Sequence, residues 1–304
     1  RISGGREYSC ALLSGGNVKC WGQNEYGNLG VTHPTRGDAA NEMGAYLPYS
    51  RLDMHNDVVQ IDTGETFSCV LLTFGEVKCW GYNPVGQLGQ GHVNSIGDGT
   101  GELGDDLQPI DLGTNKNAVS VTADDGHVCA LLEDGSLKCW GYNKYGQLGQ
   151  GNDNDIGDQS NEMGDNLSVI DLGTNKTAIM VSAGSESNCV VLNDRSVKCW
   201  GRGISGQLGQ GNTDDVGDGA GEMGDNLSAI DLGTNKTAIH ISSGDSHACA
   251  VLNDGSVKCW GEGNSGQLGQ GNTDDVGDEA GEMGDNLSAI DLGTNKTAVT
   301  ISVG

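Results

Sequence analysis

The segment GNTDDVGDEAGEMGDNL, residues 271–287, carries six carboxylates in seventeen positions: Asp274, Asp275, Asp278, Glu279, Glu282 and Asp285. Like charges at that density repel unless water or a cation lies between them. A Gly-Asp step followed four residues later by Glu recurs as Asp38/Glu42, Asp98/Glu102, Asp158/Glu162, Asp218/Glu222 and Asp278/Glu282. A further acid follows as Asp105, Asp165, Asp225 and Asp285, with Ala45 at that place in the first copy. A hard cation such as Ca²⁺ takes six to eight oxygens in flexible geometry, and a Gly-rich loop can offer side-chain and backbone oxygens together. The twelve acids from Asp98 to Asp285 in that series are therefore candidate calcium ligands. DNDIGD at 153–158 starts like an EF-hand loop, but Gly157 takes its third acidic place. The competing reading is ordinary turn chemistry, in which a carboxylate beside Gly accepts backbone N–H bonds.

Cysteine supplies the second set. Ten Cys form five pairs with nine residues between partners: Cys10/Cys20, Cys69/Cys79, Cys129/Cys139, Cys189/Cys199 and Cys249/Cys259. An even count at constant spacing predicts disulfides, and with them an oxidising, extracellular setting. Zinc is the rival, though no second pair or His stands at a fixed offset; buried free thiols are a third reading. The sequon Asn-x-Ser/Thr at Asn166, Asn175, Asn226, Asn235, Asn286 and Asn295 makes these asparagines candidate glycan acceptors, all in the last three copies. No nucleophile stands with a base, and the six His are scattered. His127 and His247 share a repeat position held elsewhere by Tyr8, Phe67 and Ser187, which reads as structural. No enzyme is expected.

These groups must be positioned by a repeat. Successive Cys-x9-Cys-Trp-Gly motifs start 59, 60, 60 and 60 residues apart, giving repeats of approximately 2–60, 61–120, 121–180, 181–240 and 241–300. CALLEDGSLKCW (129–140) predicts a β-hairpin turning at Asp134-Gly135, with each Cys pair as cross-strand neighbours. GYNKYGQLGQG predicts a loop and TAIMVSAG another strand. No helical period persists for three turns. Fifty-two Gly without a collagen triplet agree with an all-β repeat protein. The Trp after each second Cys is expected to fill the packing between repeats, with sugar stacking as the alternative.

VSAGSESNCVVLNDRSVKCWGRGISGQLGQG, and its counterparts in all five copies, resembles the repeat of the regulator of chromosome condensation family. That resemblance implies a β-propeller of four-stranded blades, one per repeat, so a single domain of about five blades over residues 1–304. The founding nuclear members have seven blades and bind chromatin and a small GTPase. Five copies, paired Cys and strong acidity set this chain apart, and exchange-factor activity is not carried over.

A net charge of −26 excludes nucleic acid as a partner and disfavours an anionic membrane surface. No run of eighteen apolar residues spans a bilayer. The chain opens at Arg1 without a leader pattern, as a mature protein or an excised piece. ISGG at 2–5 and ISVG at 301–304 occupy one repeat position, so that strand is written six times for five repeats. A surplus strand can pair with a neighbouring molecule. The expectation is a non-catalytic extracellular glycoprotein, a structural or adhesive block that polymerises into a fibre by strand exchange. Its partner would be itself or another extracellular protein. The alternative is a secreted binding or inhibitor module whose loop aromatics, Tyr26, Tyr82, Tyr142 and Tyr145, grip a protein.

Overall fold

Apolar and β-branched runs flanking a Gly-containing turn form the hairpin of each repeat, and the computed structural model describes them over residues 1–32, 35–52 and 57–304. In the third repeat β8 (His127–Leu132) and β9 (Leu137–Gly141) pair antiparallel, with Gly135 taking the positive φ of 78° that the turn demands. A preceding strand, β7 (Ala118–Asp124), completes the sheet. The same three-stranded sheet is built from β1 (Ile2–Gly4), β2 (Tyr8–Leu12) and β3 (Val18–Gly22), and from β4 (Val58–Thr63), β5 (Phe67–Leu72) and β6 (Val77–Gly81). It recurs in β10 (Ala178–Ala183), β11 (Ser187–Leu192) and β12 (Val197–Gly201), and in β13 (Ala238–Ser243), β14 (His247–Leu252) and β15 (Val257–Gly261).

The fold is all-β with five three-stranded sheets among the described residues, where the family resemblance implies four strands per sheet. The fourth shrinks to a single bridge: Gly81 N–H donates to Ile96 O at 2.7 Å and Ile96 N–H returns to Gly81 O at 3.0 Å. Gly141–Ile156, Gly201–Val216 and Gly261–Val276 repeat it. The ladder cannot lengthen because Gly81 has φ 118° and the residue after Ile96, Gly97, has φ 108°. Left-handed backbone on both sides turns the chain out of the pleat.

The chain packs as two compact units. One comprises Arg1–Glu133, Leu137–Tyr142 and Asp155–Val169 and holds β1 to β9; the other comprises Asp134–Ser136, Asn143–Asn154 and Ile170–Gly304 and holds β10 to β15. In the first, Phe67, Val77, Leu88, Val121 and Trp140 share a buried cluster. In the second, Val191, Leu208, Ile241, Leu252 and Trp260 do the same. The middle strands β5, β8 and β11 are buried throughout, which explains why FSCVLL and SNCVVL run without polar alternation.

The two ISxG segments differ. Ile2–Gly4 makes three ladder pairs with β2, whereas residues 301–304 form no strand.

Candidate functional site

The acidic loops are held together by their own backbone. Glu282 Oε2 accepts the N–H of Gly277 at 2.7 Å and of Glu279 at 3.1 Å. Glu42, Glu102, Glu162 and Glu222 each close the same turn, with a Gly N–H at 2.8 Å in every copy. The Gly37 N–H, ahead of weaker contributions, holds the Glu42 carboxyl below its ordinary range. Asp285 serves the preceding repeat: it accepts Thr234 N–H at 2.8 Å and Thr234 Oγ at 2.6 Å. Asp225 takes Thr174 and Asp165 takes Thr114 identically, and these hydroxyl and amide donors lower all three carboxyls. Asp275 Oδ1 accepts Gly263 N–H at 2.8 Å, as Asp215 does Gly203.

The first acid of the last two loops behaves differently. Asp218 and Asp278 are raised, chiefly by desolvation and with the neighbouring Glu222 or Glu282 carboxylate adding to it. Oδ1 of Asp158 and of Asp278 is buried without a hydrogen-bond donor. Asp98, Asp105 and their neighbour Asp106 are exposed. The structure thus distributes the twelve candidate calcium ligands: the Glu of each loop faces its own turn, and Asp165, Asp225 and Asp285 face the preceding repeat. Among the described residues no three His, Cys, Asp or Glu side chains converge to hold a metal ion.

All five predicted Cys pairs are disulfides: Cys10–Cys20, Cys69–Cys79, Cys129–Cys139, Cys189–Cys199 and Cys249–Cys259. Partners stand directly opposite in the hairpin ladder with Cα atoms 4.0–4.1 Å apart, and all ten are buried. The six sequon asparagines are exposed. Their backbone supplies a second reason for Asn at each position. Asn175, Asn235 and Asn295 have φ of 57–60°, a left-handed conformation Asn tolerates. Asn166, Asn226 and Asn286 donate Nδ2 to the carbonyls of Asn161, Gly221 and Gly281 at 2.7–2.9 Å.

Four of the five Trp fill the packing between repeats, fully buried. Each indole N–H donates to a carbonyl of the preceding repeat: Trp80 to Asn28 at 3.1 Å, Trp140 to Gln87 at 3.1 Å, Trp200 to Gln147 at 3.0 Å and Trp260 to Gln207 at 2.9 Å. The loop tyrosines also turn to neighbours. Tyr26 and Tyr82 rings lie 4.2 Å apart, and Arg202 stacks over Tyr145 at 4.7 Å. His127 is buried and His247 partly so, as the structural reading expects.

A buried lysine is the functional group that the sequence reading passed over. Lys138 Nζ donates to Leu112 O at 2.9 Å and Gly164 O at 2.8 Å, and Lys198 and Lys258 repeat this. Burial draws the Lys198 and Lys258 ammonium groups downward. The signal was present: Lys precedes the second Cys in every copy, at 19, 78, 138, 198 and 258.

A three-stranded sheet recurring five times among the described residues, stapled each time by one disulfide, is the build of a β-propeller repeat protein. The chain belongs among the proteins built from regulator of chromosome condensation repeats: the sequence profile "Regulator of chromosome condensation (RCC1) repeat" matches residues 1–28, 58–87, 118–147 and 238–267. The Ultraviolet-B receptor UVR8 of Arabidopsis thaliana is 29% identical over 279 residues, covering 90% of this chain and 56% of that protein. The human E3 ubiquitin-protein ligase HERC2 is 27% identical over 271 residues, 89% of this chain but 5% of that protein. Among solved structures, human WBSCR16 superposes with a TM-score of 0.72 at 23% identity, over 99% of this chain and 69% of that one. Prp20p of Saccharomyces cerevisiae does so with a TM-score of 0.63 at 22% identity, over 88% and 58%.

Proposed function

We propose that the protein is a non-catalytic extracellular structural or adhesive element. The observation that supports this best is how each repeat employs its reactive groups. Thiols are spent in disulfides, and the Glu of every acidic loop is spent on its own turn. Asp165, Asp225 and Asp285 are spent on the preceding repeat, and the buried lysines on carbonyls. The same structural use of the Glu recurs in all five acidic loops. Five buried disulfides favour an oxidising compartment. Exposed sequons favour glycosylation there. The remaining negative charge faces water, keeps the surface soluble and selects basic over acidic neighbours.

The test is the covalent state of the native protein. Cells are quenched with an alkylating agent before lysis, and the protein is digested without reduction and analysed by mass spectrometry. The expected result is five hairpin-linked peptides, each joining Cys residues ten positions apart, with hexosamine on sequon peptides. Ten alkylated cysteines would overturn the extracellular assignment.

A further inference from the structure

The second repeat carries a cavity of about 290 Å³, walled by its own acidic loop and the turn before it, all inside the first compact unit. Leu107 and Ile96 line it with apolar surface, and Gln90, His92, Glu102 and Asp106 line it with polar groups. Gln90 Nε2 clips the two walls together by donating to Gln108 O at 3.1 Å. The same clip joins Gln210 to Ser228 and Gln270 to Ser288, so the frame belongs to the repeat. What the second repeat changes is the residues on that frame.

Asp106 stands where repeats three to five have Asn166, Asn226 and Asn286. Those asparagines donate Nδ2 to the carbonyl five residues back at 2.7–2.9 Å. Asp106 keeps the place, with Oδ2 at 3.9 Å from a Cβ added at Gly101, but an ionised carboxylate has no N–H to give. An acceptor thus replaces a donor. Gln108 Nε2 reaches only the main-chain oxygen of Asp106, at 3.0 Å, and no donor among the described residues meets its carboxylate. His92 replaces Asn152, Asn212 and Asn272. Its Nδ1 accepts Asn94 N–H at 3.2 Å, the bond that the Asn Oδ1 accepts in the later repeats at 3.0–3.4 Å. The imidazole therefore keeps the turn closed and adds a ring to the wall.

Glu102 has one oxygen committed and one open. Oε2 accepts Gly97 and Gly99 N–H, both at 2.8 Å, and Oε1 accepts no bond among the described residues. Two carboxylates on one cavity with unfilled acceptors call for a ligand that brings both N–H groups and positive charge. A bare metal ion does not meet that need: His92, Glu102 and Asp106 share the lining, yet among the described residues no three such side chains converge on one point. The donors must be spread across one rigid group. A guanidinium does this with N–H groups fixed in a plane that matches carboxylates, while its weakly hydrated face and methylene stem suit Leu107 and Ile96. The net charge of −26 raises the local concentration of any such cation.

We propose that this cavity binds a guanidinium group, the arginine side chain of a basic protein segment, with Asp106 and the open oxygen of Glu102 as its acceptors. The site uses neither the disulfides nor the sequons, so it stands apart from the extracellular assignment.

The test is a titration followed by amide chemical shifts in two-dimensional NMR. The probes are arginine blocked at both ends as its N-acetyl amide, the same compound built on citrulline, which keeps the shape and loses the charge, and free arginine. Blocked arginine should shift the amides of Gly97, Gly99 and Leu107 saturably, and blocked citrulline should bind at least about tenfold more weakly. Free arginine should bind more weakly than the blocked form, because it brings its own carboxylate to an acidic loop; tighter binding of the free compound would overturn the assignment to a protein side chain. Asp106→Asn restores the residue of the later repeats, so it should melt like the parent and weaken blocked arginine at least about tenfold. Asp274→Asn removes the same charge from an exposed position in the fifth repeat and should change the affinity by less than about twofold. No saturable shift with blocked arginine, equal binding of blocked citrulline, or equal losses in the two variants would each overturn the proposal.

Discussion

Replacing Trp200 by Ala isolates the contribution of one repeat contact. The ring is fully buried and its N–H donates to Gln147 O at 3.0 Å. Removing a buried aromatic of this size costs about 3–5 kcal/mol. Of this, the carbonyl stranded without its donor accounts for about 1 kcal/mol or somewhat more. Trp200→Phe keeps most of the apolar fill and loses only the bond, so it should fall near about 1–3 kcal/mol. Trp21 provides the internal control. It holds the same repeat position, but it is partly in water and satisfies no buried carbonyl among the described residues. Trp21→Ala should therefore cost less than Trp200→Ala by about 2 kcal/mol. The assay is guanidinium unfolding followed by far-ultraviolet circular dichroism, at a concentration low enough to keep the chain monomeric. If Trp200→Ala costs under about 1 kcal/mol, or Trp21→Ala costs as much as Trp200→Ala, the indoles are not what keys one repeat to the next.

Removing the Cys69–Cys79 bridge as a double Ala variant should lower stability by about 3 kcal/mol through the entropy of the loop it closes, read as a shift in the guanidinium midpoint. Asp194 is held at about 2, first by the Lys176 ammonium and then by Ser196. Its folded value lies below the unfolded value of about 3.9, so its contribution is present above about pH 4 and lost as pH falls towards 2. Asp194→Asn should accordingly lower the melting temperature at pH 7 and have a much smaller effect at pH 2. Asp218 has the opposite sign: burial raises it, so its charge opposes folding at neutral pH and that cost fades as the carboxyl protonates. Asp218→Asn should raise the melting temperature at pH 7 and lose that advantage in acid. Because the loop glutamates are engaged by backbone N–H donors of their own turns and no three acidic side chains converge among the described residues, adding a chelator at low salt should leave the melting temperature unmoved.

The hairpins were legible because their information is local. Paired Cys stand ten positions apart, and a Gly between apolar runs marks the turn, so register follows from counting. The truncated fourth strand was not legible. Ile96 is β-branched and invites a strand, and only the left-handed Gly97 after it shows that the ladder stops. The partner of the last Asp in each acidic loop was not legible for a related reason. Asp285 and its donor Thr234 are 51 positions apart, in adjacent repeats, so the carboxylate that looks free in its own loop belongs to the previous one. Spacing within a motif carries no trace of a bond that crosses between motifs. The buried lysine was hidden by its type, since Lys in a strand is ordinarily solvated; its invariance across five copies was the available clue.

Every sulfur bridge in this chain joins neighbours on one hairpin. Ten cysteines admit on the order of 900 pairings, yet each partner here is the next cysteine along. A hairpin can therefore oxidise as soon as it emerges during synthesis, with no need to wait for distant sequence or for an isomerase to sort alternatives. The same locality bears on heredity. Unequal crossing-over that adds or deletes one sixty-residue cassette carries both cysteines together, so the length of such a gene can drift across generations without ever orphaning a thiol.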